Sequence, residues 1–476
     1  MNNAMILSDF YKTDHRRQYP PDTRNVYSNW TPRGSRIPGI EHVVTFGIQY
    51  VIQRWIIEEF NDNFFARDAD VVVPEYQELL AECGLEVPMA HVYELHALGY
   101  MPLEIKALDE GTLCPMRVPM MTIVNTNARF GWLTNFLETL LSAELWGPMT
   151  SATIAWSYRR LLDSWAEKTG GTGVSYQGHD FSMRGMRGIA AAAASGAGHL
   201  LSFNGTDTIP AITWLKRYYG ATGYIGGSVP ATEHSVMCLG GDEDELGTFR
   251  RLITDVYPAG ILSIVSDTWN LWTVLTEYMP ALKDEIMARD GKVVIRPDSG
   301  DPVDIICGNG SETKPEGLGV VQLLWDAFGG TVNSKGYKVL DPHVGCIYGD
   351  AITWDRANEI CSKLEAAGFC STNIVFGIGS FTYQYNTRDT FGFAMKATAG
   401  IVGDEMIEIY KDPVTDSGLK RSSKGLLRVD DINGELVLSD QCSVAEASGG
   451  LLKTVFKDGS MICKQTLKQI KIKLWS

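Results

Sequence analysis

Lys292-Val-Val-Ile-Arg-Pro-Asp-Ser-Gly-Asp-Pro302 runs a short apolar strand, Val293 to Ile295, straight into Arg296, Asp298, Ser299 and Gly300. A cation, a carboxylate, a hydroxyl and a glycine thus emerge together where a strand ends. Arginine presents a planar fork that matches phosphate oxygens. Aspartate accepts from sugar hydroxyls or holds a metal, and glycine lets a ligand approach the backbone. The combination suits a sugar phosphate. The same residues also read as a turn closed by Pro297 and Pro302, with Arg296 and Asp298 as a surface pair, and the stretch alone leaves both readings open.

The pattern recurs through the middle of the chain. Val174 leads to His179-Asp-Phe181, Leu200 to Phe203 leads to Gly205-Thr-Asp207, and Tyr224-Ile225 leads to Ser228 and Glu233-His-Ser235. Ile261 to Val265 leads to Ser266-Asp267, Val344 to Tyr348 to Gly349-Asp350, and Asn373 to Phe376 to Gly377-Ile-Gly-Ser380. Helical patterns lie between several of these runs, including Glu243 to Val256 and Trp354 to Ala367. Strand ends that carry polar groups at every step predict a (β/α) barrel, because such ends converge on one mouth. A doubly wound open sheet is the structural runner-up.

The flanks lack this rhythm. Phe46 to Phe60 and Trp132 to Trp146 carry apolar residues at helical spacing, and their aromatics read as core. Leu103 to Ala107, Met120 to Val124 and four segments after Met406 read as strands. A second α+β domain built from both chain ends, residues 1–148 and 385–476, is therefore expected beside a barrel at 149–384. Cys307 to Gly317 is polar and glycine-rich and reads as a surface loop.

Composition narrows the function classes. The 476 residues carry a formal net charge of −15, which argues against non-specific nucleic-acid binding and against docking on anionic membranes. No run approaches the roughly 20 apolar residues of a membrane span, and the N-terminal residues lack a signal-peptide pattern. The nine cysteines are scattered, without a Cys-x-x-Cys. Reduced thiols in a cytoplasmic protein fit best.

Individually the candidate groups are ambiguous. Phe181 suits stacking on a flat ring and Arg184 suits holding an anion, or Phe181 is core and Arg184 pairs with Asp180. Asp207, an acceptor only, would favour an amide NH₂ and repel an acid, or it caps a helix. His234 is a general base, a phosphate contact or a satisfied lone histidine. The Gly377-Ile-Gly-Ser380 turn offers backbone N–H groups to a phosphate. Together they describe a site for a phosphorylated ribose and a flat base.

Ordered strings across nearly the whole chain extend this reading. They include Ser8-Asp-Phe-Tyr-Lys12, Gln18-Tyr-Pro-Pro21, His179-Asp-Phe181, Phe203-Asn-Gly-Thr-Asp-Thr208, Glu233-His-Ser235, Ile295-Arg-Pro-Asp-Ser-Gly300 and Lys411-Asp-Pro-Val414. Through them the chain closely resembles the nicotinamide phosphoribosyltransferases, within the type II phosphoribosyltransferase family. The resemblance implies an irregular α/β barrel with a second domain, and a homodimer with active sites at the interface. It implies transfer of phosphoribosyl from 5-phosphoribosyl-1-pyrophosphate (PRPP) to nicotinamide with Mg²⁺, coupled to ATP hydrolysis through a phosphohistidine at His234.

By position, it implies that Phe181 and Tyr11 of a second copy sandwich the pyridine ring and that Asp207 accepts from the carboxamide. Arg184 and Arg296 would frame base and phosphates. Asp298 and Asp350 would hold ribose hydroxyls with Asp267 in support, and Ser228 and Ser263 would complete the substrate-binding set. Gly349, Gly379 and Ser380 would line the 5′-phosphate pocket, with Arg33, Arg388 and Lys396 reaching across the dimer. The Mg²⁺ would be held mainly through pyrophosphate. Ser380 stands where a second glycine is usual, and Ser182-Met183 replaces a Gly-Tyr pair. The 307–317 loop and the tail after Asp458 also depart from the family pattern. The rival readings are a nicotinate phosphoribosyltransferase and an inactive nucleotide-binding homologue.

Overall fold

The computed structural model describes residues 3–311, 314–349, 352–411 and 423–476. It divides into two compact units. One comprises Met1–Thr153, Trp214–Ala221 and Asn386–Ser476; the other comprises Ile154–Thr213 and Thr222–Tyr385.

The second unit is built on six parallel strands: β1 Gly178–Asp180, β2 Gly205–Thr206, β3 Ala259–Val265, β4 Asp290–Arg296, β5 Val344–Tyr348 and β6 Ile374–Ile378. Their order is β2-β1-β6-β5-β4-β3. Strands covered on both faces read as near-continuous apolar runs. All five residues of β5 are buried, as are Val293 and Ile295 of β4 and Ile374, Phe376 and Ile378 of β6. Two isolated parallel bridges, Gly205 to Gly227 and Ala231 to Ser263, lay the segment between them along both edges of the sheet. The curled sheet with an irregular seventh segment is the expected irregular barrel, not an open doubly wound sheet.

Several boundaries differ from the sequence expectation. Val174 opens a 3₁₀ turn, Val174–Tyr176, and the strand begins at Gly178. Leu200 to Phe203 is not a strand but the turn that ends helix Ile189–His199, and the strand follows at Gly205. Leu200, Leu201 and Phe203 are buried, whereas Tyr176 in the first turn is exposed, and runs this short have no period to separate strand from turn.

The first unit holds a seven-stranded antiparallel sheet drawn from both chain ends. Its order is Glu405–Glu408, Ala394–Val402, Thr23–Thr31, Met121–Asn125, Leu103–Ala107, Lys453–Lys457 and Ser460–Met461. Trp30 is fully buried and stacks on Phe393 with centroids 5.3 Å apart. Phe46 stacks on Tyr219 at 5.3 Å, which ties the helical run from Ile48 to the Trp214–Ala221 segment.

Below these rings lies a buried acid, Glu110. It accepts from the backbone N–H groups of Gln49 at 2.7 Å and Gly47 at 3.1 Å. Burial pushes its carboxyl from 4.5 up to about 7, against those hydrogen bonds. The folded chain therefore holds this proton more tightly than the unfolded chain does. Its contribution to stability is complete below the unfolded value and is lost as pH rises through about 7. The expected loss is on the order of 3 kcal/mol. Chemical denaturation at pH 5 and pH 8 checks this: Glu110→Gln should flatten the pH dependence relative to wild type. An equal slope in both proteins would contradict it.

Candidate functional site

The barrel's strand ends bring most of the expected residues together. Phe181, Arg184, Asp207, Glu233, His234, Ser235, Arg296, Asp298, Gly349, Ile352, Gly379, Ser380 and Phe381 line one cavity of about 430 Å³. The strands deliver the key groups directly: Phe181 follows β1, Asp207 follows β2, Arg296 ends β4 with Asp298 just beyond it, Gly349 follows β5 and Gly379 follows β6. Gly377 permits the convergence. A Cβ there would lie 2.6 Å from the Gly349 Cα and 2.8 Å from the Phe181 ring.

The opening stretch lines this cavity through Arg296 and Asp298 and is not merely a surface turn. Arg296 is half-buried, and its Nη2 donates to the Thr232 carbonyl at 2.5 Å. Burial draws its pKa below the ordinary arginine value, while Asp298, Asp207 and Asp267 draw it up and Arg184 opposes them. Asp298 is anchored through its backbone N–H, which donates to Asp267 Oδ2 at 2.7 Å. Ser299 Oγ donates to the same oxygen at 2.5 Å. Asp267 Oδ1 is buried with no protein partner, so Asp267 stands behind the cavity wall with acceptor capacity left over.

His234 begins the helix His234–Gly240. Its Nδ1 lies 3.2 Å from Thr268 Oγ1 and its Nε2 lies 3.9 Å from Asp298 Oδ2. The ring is half-exposed and reaches the cavity, which sets aside the reading of a buried, satisfied histidine.

Arg184, Phe181 and Asp207 line the same cavity. Asp180 is fully buried and accepts from Ser182 N at 2.9 Å, Ser182 Oγ at 2.6 Å and Thr206 Oγ1 at 3.2 Å. Arg184 is exposed at the cavity, and Asp180 is already occupied by these donors. Phe181 is half-buried and faces the cavity, so it is not core. Asp207 Oδ1 lies 3.1 Å from His179 Nε2. Burial works against the Asp207 charge, but hydrogen bonds from His179 and Ser228 and the charges of His179 and Arg296 outweigh it. Its carboxyl is held below the usual range and stays ionised.

Other expected residues lie elsewhere. Ser228 is exposed and does not line the cavity; it reaches the site through Asp207. Ser263 is buried in β3 with its hydroxyl unpartnered, outside the cavity lining. Asp350 lies outside the described residues. Tyr11, Arg33, Arg388 and Lys396 belong to the first unit. Tyr11 is 60% exposed and sits beside Lys12, whose Nζ is 5.1 Å from its ring centroid. Lys396 is pulled below the usual lysine value by burial and by Arg33, Lys411 and Arg388, with Glu138 opposing. Cations crowded in this way would favour an anion beside them.

Sequence reading did not single out Glu233, Ser235, Phe381 or Ile352 as lining residues, nor His179 as the partner of Asp207. His179 and Asp207 are 28 residues apart, and only the pairing of β1 with β2 brings them together. Among the described residues no cluster of three or more ligating side chains is arranged for a metal. No helix among them is long and apolar enough to cross a membrane.

Comparison with known proteins agrees with this geometry. Residues 176–460 match the nicotinate phosphoribosyltransferase (NAPRTase) family, and residues 3–105 match the nicotinamide phosphoribosyltransferase N-terminal domain. A nicotinamide phosphoribosyltransferase of Acinetobacter baylyi is 53% identical, over 99% of this chain and 97% of its own length. One from Xanthomonas campestris is 33% identical, over 99% and 98%. The fold is similar to that of nicotinate-nucleotide pyrophosphorylase from Pyrococcus furiosus, with a TM-score of 0.58 at 14% identity, covering 99% of this chain and 94% of that one. With a barrel mouth built from these residues and a full-length likeness of this degree, the chain belongs to the nicotinamide phosphoribosyltransferases, within the nicotinate phosphoribosyltransferase family.

Proposed function

We propose that the chain transfers the 5-phosphoribosyl group of PRPP to the ring nitrogen of nicotinamide, giving nicotinamide mononucleotide and pyrophosphate in the salvage of NAD. The observation that carries this reading is the cavity's division of charge. An ionised acceptor, Asp207, stands on one wall beside Phe181, and Arg296, Arg184 and Asp298 stand around it. The ring nitrogen of the base is already a free nucleophile, so the site needs no strong base; positioning by Phe181 and Asp207 serves instead. As the C1–O bond to pyrophosphate breaks, positive charge builds on the ribose and negative charge on the leaving group. Asp298 offsets the first, and Arg296 and Arg184 offset the second.

The residues fit a Mg²⁺ that arrives with pyrophosphate. No closed protein cage exists among the described residues, and Mg²⁺ commonly binds one or two carboxylates plus substrate phosphates. Asp298 and Asp267, whose Oδ1 has no protein partner, would be the carboxylates to hold it. When bound it would neutralise the leaving group.

ATP enters as a second substrate in this proposal. Its γ-phosphoryl passes to a ring nitrogen of His234, ADP leaves, and hydrolysis of the phosphohistidine returns phosphate. His234 suits this role because its ring is half-exposed at the cavity and held by Thr268. The chain would act as a homodimer, with Tyr11, Arg33, Arg388 and Lys396 supplied to the cavity of a second copy. The exposed Tyr11 ring and the crowded cations near Lys396 support that reading. A cytoplasmic location accords with nine free cysteines.

Assay of purified protein with nicotinamide, PRPP and Mg²⁺, with and without ATP, tests the whole. Nicotinamide mononucleotide should form, and faster with ATP at low nicotinamide. His234→Ala should remove the ATP effect and leave the ATP-independent rate within about three-fold. Turnover of nicotinate alone would assign the chain to the other activity named in its family; turnover of neither base would mark an inactive homologue. Asp207→Ala should lower the preference for nicotinamide over nicotinate by about ten- to a hundred-fold, as expected for loss of a hydrogen bond to a charged acceptor. An unchanged preference would remove Asp207 from the base-selecting role.

A further inference from the structure

Asp207 is short and stands at a strand end, and its carboxylate is 42% exposed. A carboxylate so placed rotates among several orientations unless something holds it, and each freely rotating state lowers the share that points an oxygen at the ligand. The structure contains the holding group. His179 Nε2 lies 3.1 Å from Asp207 Oδ1. The contact requires the proton on Nε2, because an ionised carboxylate only accepts.

The imidazole is itself fixed on both sides. Its side chain is 11% exposed. One face meets the Phe181 ring, with centroids 4.5 Å apart and planes tilted by 37°. The Nδ1 edge rests against the neighbouring strand at Gly205, where a Cβ would come within 2.7 Å of Nδ1. His179 and Gly205 are register partners in the parallel pair of β1 and β2. A bare glycine backbone thus seats the ring with Nε2 towards Asp207. His179 takes Asp207 Oδ1 and Ser228 also donates to the carboxylate, and its remaining lone pairs are left for a ligand.

We propose that His179 is a positioning residue for base selection. It fixes the Asp207 carboxylate so that one oxygen is oriented for the amide N–H of the base, and it ties that orientation to the ring platform of Phe181. His179 acts through Asp207 and need not touch the substrate. The proposal rests on the reading of Asp207 as the acceptor for the carboxamide.

The test is steady-state kinetics with nicotinamide and with nicotinate at saturating PRPP, supported by calorimetric binding of each base. His179→Ala should raise KM for nicotinamide about ten-fold, change kcat less than about three-fold, and lower the nicotinamide-to-nicotinate ratio of kcat/KM about ten-fold. His179→Gln, whose amide nitrogen reaches the Nε2 position, should recover most of the loss. His179→Asn, whose amide is too short, should not, and takes the place of the alanine variant if that fails to fold. KM for PRPP should not move. In an Asp207→Ala background, removal of His179 should have no further effect on the ratio.

An unchanged ratio in His179→Ala, equal losses in the Gln and Asn variants, or an undiminished effect in the Asp207→Ala background would each overturn the proposal. Should wild-type protein turn over neither base, the functional reading fails instead. Calorimetric selectivity of the same variants then still decides the role of His179.

Discussion

Arg296→Ala is expected to lower kcat/KM for PRPP by about a thousand-fold, at the upper end of what loss of one preorganised charge donor costs an active site. Arg296 is half-buried, and its guanidinium is tethered by the 2.5 Å bond to the Thr232 carbonyl. Its orientation is therefore set before substrate arrives, and no reorganisation is needed as charge develops on the leaving group. Removing it also leaves Asp298, Asp207 and Asp267 without the cation that draws on all three. The cavity would then repel a polyanionic substrate. Arg296→Lys should recover about ten-fold of the loss, because it restores charge but not the planar fork. Initial rates at varied PRPP, with melting temperature as a fold control, decide the matter. An alanine variant within about five-fold of wild type would show that Arg296 does not face the phosphates.

Asp298→Asn should act on kcat more than on KM, lowering it about a hundred-fold. The change preserves size and removes one negative charge, so it isolates electrostatics from packing. Asp298 is fixed through its backbone N–H to Asp267, and its Oδ2 stands 3.9 Å from His234 Nε2. Its side chain lines the cavity, and in the proposed reaction it would face the ribose, where positive charge is greatest in the transition state and weaker in the bound ground state. Interactions stronger in the transition state appear in kcat. Single-turnover rates at saturating PRPP and nicotinamide provide the measurement. A rise in KM for PRPP with unchanged kcat would instead assign Asp298 to ground-state binding of the ribose hydroxyls. Asp267 should behave as a support: its loss would free both Asp298 and Ser299, which share its Oδ2.

The barrel was legible because its central strands are largely buried. Val293 to Ile295, Val344 to Tyr348 and Ile374 to Phe376 are mostly apolar, and each run gives way to polar or glycine residues where the strand meets the mouth. The least regular part misled. Leu200 to Phe203 has the composition of a strand but is a buried turn, since apolar runs so short carry no periodicity. The two-residue strand Gly205–Thr206 has no apolar signature at all and exists because it pairs with β1.

The site divides in the same way. Chain order alone placed Arg296, Asp298 and Asp267 at strand ends, and the chemistry of those residue types pointed to a sugar phosphate. The same order left Phe181 between core and platform, Arg184 between ligand and Asp180, and Asp207 between cap and acceptor. Those choices depend on neighbours far away in sequence. Ser182 and Thr206 fill the buried Asp180, which leaves Arg184 at the cavity. His179, brought to Asp207 by the pairing of β1 with β2, hydrogen-bonds that carboxylate and helps hold it ionised. The sequence by itself thus determined the barrel and the kinds of charge at its mouth, since burial and strand length are local properties of the chain. Only the tertiary structure decided which charge is neutralised inside the protein and which is left for a ligand, because a hydrogen bond across strands depends on register.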